Sequence, residues 1–178
     1  MESFGNAKTI QNDNSSRFGK FIEIKFAENG KQIAGAEVTT YLLEKSRLVF
    51  QSPGERNFHI FYQMCATRNY SILKDLNLDD WKSYNYLMQC GCENGNIHGV
   101  DDKDDFDNLV ESLNLLGLDE KQTSDVFRLL AGVLLLGNVH FDGGKDCSAV
   151  SVSFHYGPIQ HTSPKTSGIP GGRFPQNR

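Results

Sequence analysis

The sequence carries little charge bias: 18 Lys and Arg face 22 Asp and Glu, for a net charge of −4. No overall positive field exists, so nucleic acid is not an expected partner. No apolar run approaches the roughly 20 residues that cross a bilayer. The longest covers 129–136, and no membrane span is expected. The opening Met1-Glu2-Ser3 has neither the basic stretch nor the apolar core of a secretory signal. Cysteine is scarce, with 4 in 178 residues, too few for a disulfide framework. A reducing, cytoplasmic setting is therefore expected. Proline is scarce as well, and Pro158, Pro164, Pro170 and Pro175 all lie beyond Phe141, leaving only Pro53 before it.

What is present reads as one globular domain with a tail. Hydrophobic residues make up 38% and charged residues 22%, which excludes a mainly disordered chain, a collagen and a coiled-coil rod. The composition shifts after residue 141. Large apolar side chains thin out there and glycine and proline accumulate, so residues 142–178 are expected to be mostly disordered. Within them Val150-Ser151-Val152-Ser153-Phe154-His155-Tyr156 alternates, and would form a strand if it met a partner.

The body, residues 1–141, predicts a mixed α/β fold: a β-hairpin followed by several helices. Residues 2–9 read as a weak helical start. Ile22, Ile24 and Phe26 alternate on one strand face, and Asn29-Gly30 supplies a tight turn. On the returning strand Ile33 lies in the odd register, but Val38, Thr40 and Leu42 lie in the even one. A β-bulge near Gly35-Ala36 reconciles them. Ser52-Pro53-Gly54-Glu55 reads as a capping box opening a helix with Phe58, Phe61, Tyr62 and Cys65 on one stripe. Asp101-Asp102 begins a further helix, with Phe106, Leu109, Val110, Leu113 and Leu116 inward. Asp119 and Gln122 begin the last, with Val126, Leu129, Leu130 and Val133 inward, and Gly137 ends it.

The stretch richest in chemistry is Asn12-Asp13-Asn14-Ser15-Ser16-Arg17-Phe18-Gly19-Lys20. It offers amides, two adjacent hydroxyls and a guanidinium. A hydroxyl oxygen suits Mg²⁺, a hard cation. Amides hold phosphate oxygens, and arginine pairs with a carboxylate or a phosphate. The same residue types also fill ordinary turns.

Longer motifs in order add a resemblance. Phe4-Gly5-Asn6-Ala7-Lys8-Thr9, followed by the 12–20 stretch, resembles the switch I region of myosin motor heads. Tyr41-Leu42-Leu43-Glu44-Lys45-Ser46-Arg47, Glu55-Arg56-Asn57-Phe58-His59-Ile60-Phe61-Tyr62 and Leu136-Gly137-Asn138-Val139 resemble later signatures of that family. The Lys74-Asp75-Leu76 and Gly99-Val100-Asp101-Asp102 segments look like class-five transport myosins. The resemblance covers 2–141. It implies part of a motor domain related to the P-loop NTPases, in a cytoplasmic, cytoskeletal motor that uses ATP and Mg²⁺, with actin filaments and light chains as partners. By position, Ser16 would be the metal ligand. Asn12, Ser15 and Ser16 would hold the nucleotide. Ser15 and Arg17 would be catalytic, Ser15 relaying the attacking water's proton and Arg17 pairing with a switch II glutamate. The 19–43 hairpin would belong to the transducer, and the helices to the upper actin-binding cleft. These 178 residues contain no Gly-x-x-x-x-Gly-Lys-Ser/Thr loop and no switch II pattern. The alternative is thus a truncated, non-catalytic product that acts only as a partner-binding fragment or is an unstable relic.

Weaker signals carry less. Cys90-x-Cys92 lacks further ligands at zinc spacing. The 101–107 carboxylates lack an EF-hand glycine and distal glutamate. Glu44-Lys45-Ser46-Arg47 suits either a phosphate or a strand-end charge cluster, and His59 a packing or surface position.

Overall fold

The computed structural model describes residues 1–28, 30–89, 95, 97–143 and 150–154. The expected tail beyond 154, Asn29 of the turn, and Cys90 and Cys92 lie outside the described residues. The first elements are short: α1 (Glu2–Gly5), β1 (Asn6–Ala7) and β2 (Ser15–Ser16). β1 and β2 pair antiparallel, Asn6 opposite Ser16 and Ala7 opposite Ser15. The expected 2–9 helix thus stops at Gly5 and turns extended. Gly5 is required there because a Cβ would sit 2.4 Å from Phe18 Cδ1.

β3 (Gly19–Phe26) and β4 (Ile33–Tyr41) form the expected hairpin. The register runs Ile22–Val38, Ile24–Ala36, Lys25–Gly35 and then Phe26–Ile33, so Ala34 is the extra residue of a bulge. The bulge lets Ile33 join Ala36 and Val38 on the face of Ile22, Ile24 and Phe26. The chain leaves β4 through Leu42, whose φ of 54° is left-handed.

The core is helical. At its centre α2 (His59–Ala66) is buried from His59 to Cys65. The capping box expected at Ser52–Glu55 is a correction. Glu55 N donates to Ser52 O at 3.0 Å and Gly54 takes φ +86°, so Pro53-Gly54 makes a tight turn and the helix starts only at His59. After α3 (Asn85–Met88) come α4 (Asp102–Leu115) and α5 (Glu120–Leu136). Asp101 caps α4 by accepting from Lys103 N, and Asp119 with Gln122 forms a reciprocal capping box on α5. Phe106 of α4 meets Phe127 of α5 with ring centroids 5.1 Å apart. Two expected inward residues are outward: Leu116 is 77% and Leu129 74% exposed. The buried face of α5 is Thr123, Phe127, Ala131 and Leu134, rotated from the expected stripe. β5 (Val139–Gly143) pairs antiparallel with β6 (Val150–Phe154), giving the alternating 150–154 segment its partner. Among the described residues no helix is long and apolar enough to cross a membrane.

Candidate functional site

The 12–17 stretch forms the end of the loop that β1 and β2 close, and the loop braces itself. Thr9 N donates to Asn12 O at 2.8 Å, Asn12 N donates to Thr9 Oγ1 at 3.1 Å, and Asn14 N donates to Asn12 Oδ1 at 2.8 Å. Lys8 and Asp13 form an ion pair across it. The outer side of β1 is tied down as well: Ala7 bridges Phe58, and Arg56 N donates to Lys8 O at 3.0 Å.

From the helical core, His59 reaches the loop. Its Nε2 lies 3.1 Å from Asn14 Oδ1, which also accepts from Asn6 Nδ2 at 3.1 Å. His59 is 8% exposed, a packing histidine with a polar task. Burial, reinforced by the Arg56 charge and opposed by Asp13, lowers its pKa to about 4. The ring is therefore neutral at ordinary pH and donates through Nε2–H.

On the other side, Arg17 leads into an ion-pair chain. Arg17 Nε donates to Glu44 Oε2 at 2.6 Å and one terminal nitrogen donates to Ser15 Oγ at 3.1 Å. The same Glu44 oxygen accepts from Arg47 Nε at 2.8 Å. Arg47, 4% exposed, pairs with Glu55 Oε2 at 2.9 Å and donates to Arg56 O at 3.1 Å. Burial opposes ionisation of Glu44, but the hydrogen bonds and charges of Arg17 and Arg47 outweigh it and hold its carboxyl below the usual value. The 44–47 segment is thus a charge cluster whose buried arginine is held by Glu44, Glu55 and the Arg56 carbonyl. The Glu-x-x-Arg spacing on one turn signals the Glu44–Arg47 pair, whereas the Glu44–Arg17 pair, 27 positions apart, has no local signal.

Ser15 and Ser16 form β2 with Arg17 directly after them and Asn12 earlier in the loop, and the side-chain contact among them is Arg17 to Ser15. No group among the described residues bonds the Ser16 hydroxyl, which is exposed. Asn12 spends its Oδ1 on Asn14 N and keeps its amide nitrogen free. Arg17 keeps its second terminal nitrogen unengaged among the described residues. A free hydroxyl oxygen, an outward amide and a partly free guanidinium suit a hard cation beside a polyanion. Among the described residues no group of three or more His, Cys, Asp or Glu could hold a metal. A metal here would therefore need most of its ligands from its own anion and from water.

Comparison with known proteins bears on what that loop belongs to. The myosin head (motor domain) family matches residues 1–159, which runs past the boundary expected at 141. Myosin-3 of Arabidopsis thaliana is 52% identical over 141 residues, 79% of this chain and 12% of its own length. Myosin ID heavy chain of Dictyostelium discoideum is 46% identical over 151 residues, 84% of this chain and 13% of its own. Human Unconventional myosin-Va is 46% identical over 159 residues, 89% of this chain and 8% of its own. The class-five resemblance is compatible with the match to Unconventional myosin-Va. The chain spans only about an eighth or less of the length of these relatives. A match over most of the chain, in the same order as its signature motifs, means that this chain belongs to the myosin head (motor domain) family.

Proposed function

We propose that this chain is the part of an actin-based motor head that carries one wall of its Mg-ATP site. The observation that supports it is the Arg17 guanidinium donating to Ser15 Oγ on the braced loop, with the exposed Ser16 hydroxyl next in the chain. When bound, Mg-ATP would supply the scissile phosphoanhydride and a cation that neutralises it. Ser16 would give the metal an oxygen. Ser15 and the Asn12 amide would hold phosphate oxygens, Ser15 would hand on the attacking water's proton, and Arg17 would draw in a carboxylate from elsewhere in the motor. Actin filaments and light chains would be the partners, and the cytoskeleton of the cytoplasm the place of work.

The test uses the full-length motor that contains this segment. Ser16→Ala should weaken Mg-dependent nucleotide retention, because it deletes a metal oxygen. Arg17→Ala should leave nucleotide binding nearly intact and slow hydrolysis, because its role comes on the way to the transition state. Unchanged hydrolysis by Arg17→Ala would overturn its assignment, and unchanged metal dependence in Ser16→Ala would overturn that of Ser16.

A further inference from the structure

The geometry points to Glu44 as a positioning residue that aims Arg17 at Ser15 and so fixes which way the Ser15 hydroxyl donates. This rests on the reading of Ser15 as a phosphate contact. A guanidinium is planar, so fixing one edge fixes where the others point. Glu44 Oε2 takes the Nε edge of Arg17 at 2.6 Å, and a terminal nitrogen then falls 3.1 Å from Ser15 Oγ. Ser15 Oγ accepts that bond. Its own proton must therefore leave in another direction, toward an acceptor outside the loop, and an anionic oxygen fits.

Glu44 can serve as a fixed point because it is anchored twice. Its backbone N–H donates to Arg17 O at 2.9 Å. Its carboxylate also accepts from Arg47, which is 4% exposed and pinned by Glu55 Oε2 and Arg56 O. The order Glu55–Arg47–Glu44–Arg17–Ser15 runs from the buried body to the loop edge. Charge-assisted bonds of this kind are among the stronger hydrogen bonds. The carboxylate lies just beyond the left-handed Leu42 at the end of β4, so movement of the hairpin would reach Ser15 through it.

Two measurements test this. The first needs no nucleotide: exchange of the Arg17 Nε–H with water, read by ¹⁵N NMR on the 178-residue chain. It should be slow in the wild type, become at least tenfold faster in Glu44→Gln, and change less than twofold in Ser15→Ala. Fast exchange in the wild type, or no response to Glu44→Gln, overturns the assignment. The second is a double-mutant cycle in the full-length motor. Glu44→Gln should lower turnover at saturating nucleotide by about tenfold, the scale of one charged hydrogen bond. In a Ser15→Ala or Arg17→Ala background the same change should cost less than twofold. An equal loss in every background marks a merely structural role and overturns the proposal, as does normal turnover of Glu44→Gln beside impaired Arg17→Ala. If Glu44→Gln fails to fold, Glu44→Asp keeps the charge for Arg47, and its smaller deficit must vanish in the same backgrounds. Normal turnover in both Ser15→Ala and Arg17→Ala would instead sink the reading of the site itself, and the proposal with it.

Discussion

His59 Nε2 and Asn14 Oδ1, 3.1 Å apart, join the most buried helix to the most chemically loaded loop. The bond needs a proton on Nε2, and in this buried site the neutral Nε2–H ring supplies it. Burial and the Arg56 charge favour that form, against the pull of Asp13, and bring the pKa from 6.5 to about 4. The unfolded chain takes up this proton first as pH falls, so the contribution is intact above about 6.5. It is lost between there and about 4, with a size on the order of 3 kcal/mol. Urea unfolding of the chain should show stability falling through that window. His59→Gln, which keeps a neutral donor, should flatten the fall. An unchanged pH profile in His59→Gln would refute the assignment.

A second prediction concerns Arg56 and Asp102. Arg56 is fully buried, reaches both carboxylate oxygens from one terminal nitrogen at 3.0 Å, and lies 3.9 Å above the Tyr62 ring. Among the described residues its Nε and other terminal nitrogen are buried without hydrogen-bond partners. Burial raises the Asp102 pKa, and the charge and hydrogen bonds of Arg56 only partly offset it. Arg56→Met should then cost about 3–5 kcal/mol at neutral pH, the usual result of stranding one half of a buried pair. A raised acid favours the folded state below its pKa and loses that advantage as pH rises through it. The cost should therefore shrink as pH falls, as Asp102 protonates and as His59, freed of the Arg56 charge, protonates more easily. Adding Asp102→Asn should recover part of the neutral-pH loss. A cost independent of pH would contradict this account.

Local patterning made much of this fold legible. The bulge followed from Ile33 and Val38 being out of phase, and the α4 and α5 starts from Asp101 and from Asp119 with Gln122. The misses are tertiary. Pro53-Gly54 satisfied a helix-start pattern, but the left-handed Gly54 made a turn instead. Leu116 and Leu129 matched an apolar stripe, yet the core is only as wide as Phe106, Leu109 and Leu113 against Phe127 and Ala131. In the site, the 12–17 loop was visible as a cluster of residue types. Its two braces were not, because Asn14 meets His59 across 45 positions and Arg17 meets Glu44 across 27.

Gly137 and Gly132 separate two reasons for a glycine near a helix end. Gly137 caps α5 with φ −64°, an ordinary helical value, so conformational freedom is not its purpose. A Cβ there would lie 2.7 Å from the Tyr86 ring, whereas one on Gly132 would meet nothing. Gly137→Ala should destabilise by about 1–3 kcal/mol through the clash. Gly132→Ala should stabilise by roughly 0.5–1 kcal/mol through helix propensity. Tyr86→Leu should relieve most of the Gly137→Ala penalty in a thermal-unfolding cycle. Additive costs would show that Tyr86 is not the obstacle.

The last prediction turns on the β3–β4 hairpin. Phe21, Ile22, Ile24, Phe26, Ile33 and Val38 are all between 46% and 66% exposed. Among the described residues β3 and β4 pair only with each other, so each leaves one edge with unpaired backbone groups there. A two-stranded ribbon with apolar side chains outward and open edges is a template for another strand. The ladder itself tolerates substitution: Glu23 and Glu37 stand opposite each other, and Lys25 relieves the repulsion by reaching Glu37 at 3.1 Å. The isolated chain should therefore self-associate as concentration rises, by sedimentation velocity. Ile24→Thr with Phe26→Thr keeps β propensity but removes apolar area, and should shift the chain toward monomer. None of the buried core residues comes from β3 or β4, so the unfolding midpoint of the helical body by circular dichroism should not move. A wild-type chain that stays monomeric at every concentration would show that this surface is not a docking template. A variant that loses its helical transition would show that the hairpin supports the core.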